Sequence, residues 1–364
     1  MKALPKTTEY IVLTGGGTAG HILPNLALVP YLEKADWKPV YIGSKSEMEL
    51  DLVRSMSHLP FYGISTGKLR RYFDLKNISD IFKIIKGLIE AINHLRRIRP
   101  VAVFAKGGFV SVPVVWAAWL LHIPSIIHES DLTPGLANRL MMPFAKKICL
   151  SFEKSASMVP SQKKVLTGIP VRDFLAKGDP LRGRALCAFS EKGKVLMICG
   201  GSQGSKAIDE FVWNHLEQLL SKYLIIHLGR SKACTGTIPV REGYAYFEFV
   251  REELPDLYAC ADIIISRSGA NTLFELLYLN KPAILIPLPR SVSRGDQLCN
   301  ARAFQEKGLM ELMLQEKLEI NALMNLLDHI EKNAQNYKQK MKASQKQEAG
   351  ELIVNVISKE VKSR

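Results

Sequence analysis

The amino-acid sequence predicts an α/β protein built from two parallel-sheet domains. Short apolar runs alternate with longer segments of helical periodicity along the chain. A glycine-rich turn follows an apolar run twice, at residues 15–20 and again at residues 200–204. The length of 364 residues, 47% of them hydrophobic, is enough for two domains that each bury a core of their own.

Composition and charge narrow the class of protein. The six cysteines show no C-x-x-C pairing, so we interpret them as thiols in a reducing compartment, and no signal peptide is evident. Residues 1–165 hold 22 Lys and Arg against 12 Asp and Glu, which is most of the net charge of +14. Such a surplus suits an anionic membrane surface or a phosphorylated substrate. Because no nucleic-acid-binding motif accompanies it, we expect no nucleic acid partner.

The first domain is expected to begin with a strand, a glycine turn and a helix. The apolar run 10–13 precedes GGGTAGH (15–21). Amides and the helix dipole at such a turn can hold a phosphate or another polar group. The G-x-G-x-x-G spacing also occurs in dinucleotide sites, but the second predicted strand, 39–42, has no acidic residue after it to hold a ribose. His21 is the candidate for chemistry; the alternative is a histidine that makes only local hydrogen bonds.

A basic loop, 64–72, leads into a long amphipathic helix that ends before Pro100. Apolar residues recur at helical spacing from 78 to 95, and nine basic residues accompany three acidic ones between 68 and 99. We expect the apolar face of this helix to pack on the sheet. The corner LRRYF, residues 69–73, is where we expect contact with a membrane.

The uncharged stretch 107–128 is long enough for a membrane span but is interrupted by Pro113 and Pro124. These two prolines predict a buried helix and then a short strand, 125–127. The sequence HESD follows, so Glu129 and Asp131 are candidates for acid–base chemistry. The local alternative is a turn that caps the next helix.

The pattern restarts after GIPVR (168–172), which predicts domains at 1–167 and 168–340 and a C-terminal helix, 341–364, that docks back on the body. Within the second domain we expect these elements: a strand at 194–199, the turn GGSQG, a helix at 207–220, strands at 224–228, 246–249, 262–266 and 283–289, and only helices beyond 314.

Seven motifs, read in order, resemble those of a known family. GGGTAGH, KGGFVSVP, HESDLTPGLANR, GIPVR, GGSQG, RSGANTLFE and SRGDQLCNA are similar in order and spacing to the MurG-type peptidoglycan glycosyltransferases, from about residue 10 to about residue 310. The resemblance implies a GT-B fold, in which two Rossmann-like domains face each other across a cleft. It implies inverting transfer of N-acetylglucosamine from UDP-N-acetylglucosamine to undecaprenyl-pyrophosphoryl-muramyl-pentapeptide, with no metal and no cofactor. It also implies a peripheral protein at the cytoplasmic face of the bacterial cell membrane.

The same resemblance implies roles for individual residues. His21 is the first candidate base, with Glu129 and Asp131 as rivals. Ala19 replaces a glycine of many members, and Asp131 replaces an Asn, so a donor contact by Asp131 is left open. The other implied substrate-binding residues are Thr18, Ala19 and Gly20 for the sugar and acceptor, Ser202 and Arg172 for the diphosphate, Val250 for the uracil, Glu275 for the ribose, Gln297 for the sugar hydroxyls, and Ser268, Gly269, Ala270 and Thr272 around the donor.

Two other functions remain open from the sequence. A UDP-sugar epimerase of the same fold would explain the glycine turns but not the basic, aromatic corner of the first domain. An NADP-dependent oxidoreductase would rest on the G-x-G-x-x-G spacing alone.

Overall fold

A computed structural model describes residues 9–67, 76–201, 204–229, 238–345 and 348–363. The chain forms two compact units, Met1–Arg172 together with Gln347–Arg364, and Asp173–Lys346. Each unit contains one parallel β-sheet, as the alternation of apolar runs and helical segments predicts.

The sheet of the first unit is entirely parallel, with the order β3-β2-β1-β4-β5-β6-β7. Its strands are β1 (Glu9–Thr14), β2 (Trp37–Ser44), β3 (Phe61–Ile64), β4 (Ala102–Ala105), β5 (Ser125–Glu129), β6 (Lys147–Leu150) and β7 (Lys164–Leu166). Its helices up to this point are α1 (Ala19–Lys34), α2 (Glu47–Met56), α3 (Lys76–Ile98), α4 (Ser111–Leu120) and α5 (Leu136–Met141). The strand order reverses between β1 and β4, and ligands of such sheets bind at the carboxyl edge beside that reversal.

Strand β1 is buried on both faces. Ile11 and Leu13 belong to the core on one side of the sheet, and Val12 belongs to the core on the other. This is the pattern of a central parallel strand covered by helices on both faces, and it explains the continuous apolar run in the sequence.

The long helix α3 differs from our expectation. Ala91 and Leu95 are buried against the sheet, but Phe82, Ile85 and Ile89 are 69%, 50% and 56% exposed. The apolar face is therefore wider than the surface that the sheet offers, so only part of it packs, and the expectation that the whole face packs was wrong. The corner 69–73 lies outside the described residues.

The sheet of the second unit is also parallel, with the order β10-β9-β8-β11-β12-β13. Its strands are β8 (Lys194–Cys199), β9 (Tyr223–Leu228), β10 (Tyr244–Phe247), β11 (Ile263–Ser266), β12 (Ala283–Leu285) and β13 (Glu311–Leu312). Its helices are α6 (Pro180–Leu186), α7 (Lys206–Asn214), α8 (Leu216–Leu220), α9 (Leu254–Cys260), α10 (Ala270–Tyr278), α11 (Asp296–Glu306) and α12 (Ile320–Ser344).

Three predicted elements of this unit need correction. The strand expected at 283–289 ends at residue 285, before the prolines that follow it. The helix expected at 207–220 is divided at His215, whose Nδ1 lies 2.9 Å from the carbonyl oxygen of Phe211, so its side chain engages a carbonyl of the preceding turn. The strand expected at 246–249 lies two residues earlier, at β10. The strand β13 was not predicted, because two residues carry too little pattern, and in the first unit β3 was not predicted either.

The last helix, α13 (Ala349–Lys362), belongs to the first unit although it follows α12 of the second. Ile353 and Ile357 are fully buried in the core that contains Leu28 of α1. Tyr31 donates to the Glu348 carboxylate at 3.1 Å. Helix α13 therefore packs into the same hydrophobic core as α1.

Candidate functional site

The carboxyl edge of the first sheet contains the glycine turn that follows β1. Gly15, Gly16 and Gly17 join β1 to α1, and Thr18 is the residue before the helix. A Cβ on Gly15 would lie 2.5 Å from the carbonyl oxygen of His21, and Gly17 has a φ of +85°. Close packing and a left-handed backbone thus require glycine at these two positions.

His21 lies in the first turn of α1 and is hydrogen-bonded to the glycine turn. Its Nδ1 is 3.0 Å from the carbonyl oxygen of Gly16 and 3.1 Å from Thr18 Oγ1. Because a carbonyl oxygen can only accept, Nδ1 carries the proton and donates to Gly16. The basic lone pair of the neutral ring is then on Nε2. These local hydrogen bonds fix the tautomer that a general base requires, so the two sequence interpretations of His21 are compatible.

The other predicted residues of this turn lie at the start of α1. Thr18 is exposed, and Ala19 and Gly20, the first two residues of the helix, are partly buried. Their backbone groups stand at the positive end of the helix dipole.

Glu49 of α2 contacts the same turn, a role that no motif in the sequence indicated. Its side chain is 2% exposed; Oε1 accepts from the amide of Gly17 at 2.6 Å and Oε2 from the amide of Ser44 at 2.8 Å. The Tyr41 hydroxyl donates to the Gly15 carbonyl at 2.7 Å, and burial raises the pKa of Tyr41 well above its usual range. The turn is thus held by a carboxylate and a neutral phenol.

The loop after β5 is organised by Glu129. Its carboxylate is 4% exposed and accepts from the amides of Asp131 and Gly135, each at 3.0 Å, and from Asn138 Nδ2 at 2.7 Å. Burial and the Asp131 charge raise the pKa of Glu129, and these hydrogen bonds oppose the shift. Gly135 is the residue before α5, so Glu129 caps that helix while Asp131 stays partly exposed.

Beneath this loop lies a buried cation. Lys106 Nζ is 2.7 Å from His128 Nδ1, and His128 Nε2 is 2.7 Å from the carbonyl oxygen of Gly168. His128 therefore donates through Nε2 and accepts from lysine through Nδ1. Burial lowers the pKa of Lys106 to about 7 against the opposing charges of Glu129 and Asp131, and burial and Lys106 lower the pKa of His128 far below its usual range.

The second glycine turn follows β8 in the other unit. Gly201 and Gly204 have φ of +82° and +74°, and a Cβ on Gly200 would lie 2.5 Å from the amide of Ser205. Ser205 caps α7 by accepting from the amide of Ile208 at 3.4 Å. The predicted residue Ser202 lies outside the part of the chain that the structure describes.

A second buried cation, Arg267, supports this turn. Its Nη2 donates to Ser205 Oγ at 2.5 Å and to Gln315 Oε1 at 2.6 Å. Its Nη1 donates to the carbonyls of Ile286 and Pro287, both at 3.0 Å. Burial lowers the pKa of Arg267, although arginine stays charged throughout the physiological range. Arg267 therefore places a permanent positive charge next to the cap of α7.

Lys106 and Arg267 are the first residues of the motifs KGGFVSVP and RSGANTLFE, but the sequence indicated no role for either. Each directly follows a short apolar strand, Lys106 after β4 and Arg267 after β11. A charged residue at the carboxyl end of such a strand is the signal that could have identified them. Glu49 offered no such signal.

Some of the predicted donor residues are hydrogen-bonded to one another, and others lie on separate elements. Ser268, fully buried, donates to the backbone carbonyl of Gln297 at 2.9 Å, and Gln297 Oε1 accepts from the amide of Leu288 at 3.1 Å. Gly269, Ala270, Thr272 and Glu275 follow at the start of α10, where Thr272 and Glu275 are partly exposed. Val250 follows the edge strand β10, three strands away from β11, and Arg172 is the last residue of the first of the two segments that form the first unit.

Within the described ranges, His, Cys, Asp and Glu side chains form no group of three that could hold a metal ion. The helices in those ranges are all too short or too polar to cross a lipid bilayer.

Comparison with known proteins gives consistent results for the whole chain. The glycosyltransferase family 28 N-terminal domain matches residues 11–150, and the glycosyltransferase family 28 C-terminal domain matches residues 195–356. A Clostridium perfringens (strain SM101 / Type A) protein is 47% identical over 349 residues, which is 96% of this chain and 98% of that protein. A Geobacillus kaustophilus (strain HTA426) protein is 46% identical over 333 residues, 92% of this chain and 93% of that protein. Both are named UDP-N-acetylglucosamine--N-acetylmuramyl-(pentapeptide) pyrophosphoryl-undecaprenol N-acetylglucosamine transferase.

Solved structures show the same architecture. The Acinetobacter baumannii MurG structure is 26% identical, with a TM-score of 0.72 over 97% of this chain and 100% of that chain. A UDP-GlcNAc 2-epimerase from Neisseria meningitidis has a TM-score of 0.66 at 15% identity, over 98% of this chain and 100% of that chain, and this likeness concerns the fold alone.

Proposed function

The chain belongs to glycosyltransferase family 28, and we propose that it is an inverting, metal-independent N-acetylglucosaminyltransferase of peptidoglycan synthesis. It transfers N-acetylglucosamine from UDP-N-acetylglucosamine to the muramyl sugar of undecaprenyl-pyrophosphoryl-N-acetylmuramyl-pentapeptide, which converts lipid I to lipid II. The near full-length relatives named for this reaction support the substrate pair. Neither epimerisation nor hydride transfer has comparable support.

The observation that carries the chemical proposal is the tautomer of His21. The Gly16 carbonyl holds the proton on Nδ1, so Nε2 is the atom that can accept a proton from an acceptor hydroxyl. Glu129, the rival base, already accepts three hydrogen bonds from its own loop. We therefore assign His21 as the catalytic base and Glu129 as the residue that positions the partly exposed Asp131.

In the proposed reaction the acceptor hydroxyl oxygen attacks C1 of the donor sugar. The bond between C1 and the β-phosphate oxygen breaks, UDP leaves with the electron pair, and the hydroxyl proton passes to His21 Nε2. The leaving diphosphate needs positive groups and amides. We assign these to the second glycine turn with Ser202, to the N-terminus of α7, and to Arg172.

The remaining donor contacts follow the chemistry of each group. Glu275 is suited to two ribose hydroxyls, because a carboxylate accepts from both. The backbone at Val250 is assigned to the uracil and Gln297 to the sugar hydroxyls. The turn before α10 and its first residues surround the donor in this proposal: Ser268, Gly269, Ala270 and Thr272. Thr18, Ala19 and Gly20 serve the sugar and acceptor beside His21.

We further propose that helix α3 holds the protein at an anionic membrane surface, on the cytoplasmic face where the lipid-linked acceptor is made. Phe82, Ile85 and Ile89 form an exposed apolar stripe on one face of α3, and the exposed Lys83 and Lys86 flank it. Apolar side chains beside lysines suit a lipid interface with acidic headgroups.

The activity is tested with radiolabelled UDP-N-acetylglucosamine and lipid I in detergent. The expected products are labelled lipid II and free UDP in equal amounts. Formation of a soluble sugar isomer without labelled lipid would favour the epimerase, and no turnover of either kind by a folded protein would overturn the proposal.

Membrane attachment is tested by co-sedimentation with vesicles that contain phosphatidylglycerol. Lys83→Gln with Lys86→Gln should weaken binding roughly 30-fold, because each lysine near such a surface contributes about 1 kcal/mol. Lys338→Gln with Lys342→Gln, an exposed pair one helical turn apart on α12, is the matched control. Equal binding by both double variants would place the membrane contact elsewhere.

A further inference from the structure

One peptide group connects a buried carboxylate to the catalytic histidine. The amide of Gly17 and the carbonyl of Gly16 belong to the same planar peptide unit. The amide donates to Glu49 Oε1 at 2.6 Å, and the carbonyl accepts from His21 Nδ1 at 3.0 Å. Glu49, the peptide and the imidazole therefore form one continuous hydrogen-bonded chain.

The carboxylate end of this chain is buried. Glu49 is 2% exposed, and a Cβ on Gly16 would lie 2.5 Å from its Oε1. On the other side, a Cβ on Gly108 would lie 2.2 Å from the Gly16 carbonyl oxygen. Glycine at both positions lets the carboxylate and the neighbouring loop approach the peptide. Electrostatic interactions are stronger where water is excluded.

We propose that Glu49 is a positioning residue for His21 and acts on it through the Gly16–Gly17 peptide. The inference rests on the proposed role of His21 as the base. The carboxylate charge draws the amide proton of Gly17 and makes the Gly16 carbonyl a stronger acceptor, since hydrogen bonds in a chain polarise one another. That carbonyl holds Nδ1–H, keeps the lone pair on Nε2, and stabilises the imidazolium that forms when Nε2 takes the acceptor proton. No proton moves along the peptide.

In catalytic triads a carboxylate orients the histidine by a direct hydrogen bond. Here a peptide group lies between the carboxylate and the histidine. A second anchor keeps the carboxylate in place, because its Oε2 accepts from the amide of Ser44 at the end of β2. Strands β1 and β2 are neighbours in the sheet, so the pairing of these strands aligns Glu49 with the turn.

Other titratable groups surround the turn and could also act on His21. Tyr41 on β2, Lys106 after β4, and His128, Glu129 and Asp131 at the end of β5 lie on the elements packed around it. The experiment therefore has to separate Glu49 from a general change of charge at this edge.

The test uses the full-length protein with 13C- and 15N-labelled histidine, and follows the His21 ring by NMR as pH is changed. In the parent, long-range 15N spectra should show the neutral ring protonated at Nδ1. In Glu49→Gln the titration midpoint of His21 should fall by about half a pH unit or more, because a negative charge that favours the imidazolium is lost. Glu47→Gln removes an equal charge from the exposed side of α2 and should leave the midpoint unchanged.

Kinetics give the second arm of the test. In Glu49→Gln the acidic limb of the kcat profile should move to lower pH by the same amount, with the donor KM unchanged. Glu49→Asp retains the charge and should keep the limb near its parental position. Thermal unfolding and circular dichroism first establish that each variant is folded, and should Glu49→Gln not fold, the shift is read from Gly16→Ala, whose Cβ displaces the carboxylate.

The two proposals fail in different ways. An unchanged His21 midpoint and tautomer in a folded Glu49→Gln protein would overturn the role of Glu49, whatever the activity. A shifted midpoint with a kcat profile that does not follow it would keep the Glu49–His21 link and remove His21 as the base.

Discussion

The two glycine turns have the same backbone plan but opposite electrostatic surroundings. The turn after β1 gives the amide of Gly17 to the carboxylate of Glu49. The turn after β8 is backed by the guanidinium of Arg267, which binds the cap of α7 through Ser205. A phosphate at the first turn would meet a buried negative charge, whereas at the second it would meet a buried positive one.

This difference separates the two chemical tasks of a glycosyl transfer. A base must be correctly oriented and its protonated form must be stabilised, and in our proposal a carboxylate that acts through a peptide does this for His21. A leaving diphosphate must be stabilised, and a fixed cation with a helix N-terminus is suited to this task in the proposed reaction. Strand–turn–helix geometry alone therefore does not identify an anion site.

The largest expected effect tests the base at the first turn. His21→Ala should lower kcat by about 10²- to 10⁴-fold, the usual contribution of general-base assistance, with the donor KM nearly unchanged. The low-pH limb of the kcat profile should disappear. His58→Ala, an exposed histidine of the same unit, should behave as the parent. A limb that persists in His21→Ala but is lost in Asp131→Asn would move the base to the loop after β5.

The buried cations at the two edges should differ in their response to pH. Lys106 has a pKa of about 7 in the folded protein, below its unfolded value, so the unfolded chain binds more protons between pH 7 and 10. Stability should therefore rise with pH across this window, by at most about 1.4 kcal/mol per pH unit from this group.

Urea unfolding at pH 6, 8 and 10 measures this difference. Lys106→Met should lose the rise relative to the parent, whereas Lys146→Met, at an exposed position, and Arg267→Met should both retain it. The same slope in Lys106→Met and in the parent would mean that Lys106 is not the titrating group.

The donor side is tested by Glu275→Ala, which should raise the donor KM by roughly ten- to a hundredfold. Hydrogen bonds to a charged group contribute about 1.5 to 3 kcal/mol. The acceptor KM should not change, and Glu306→Ala on the exposed side of α11 serves as the control. An unchanged donor KM in the folded variant would remove Glu275 from the donor site.

The smallest expected effect concerns the charge behind the second turn. Arg267→Met should weaken UDP binding about tenfold in calorimetry at low salt but hardly alter the binding of uridine, which lacks the diphosphate. Arg302→Met, at an exposed position in the same unit, should bind both ligands as the parent does. Equal losses for UDP and uridine would indicate that Arg267 only maintains the fold, and the contrast between the two turns would then lack its electrostatic basis.

Local patterns were sufficient for much of this protein. Apolar runs and helical spacing predicted β1, β8 and α3, and the glycine turns marked the carboxyl edges of both sheets, because hydrophobic periodicity and turn chemistry act over a few residues. The order of seven motifs predicted the family. The position of His21 at the first turn was also readable from the sequence.

Only the tertiary structure determined how these pieces act together. Glu49 reaches Gly17 across 32 residues, and His128 reaches Gly168 across 40, because the sheet order places the ends of neighbouring strands side by side. The sequence of α3 did not reveal that the sheet covers only part of its apolar face. Spacing along a chain specifies which side chains share a face of one element, whereas strand order and packing decide which distant groups meet and how deeply they are buried. The tautomer of His21 and the charge at each turn depend on those contacts, so they became visible only in the fold.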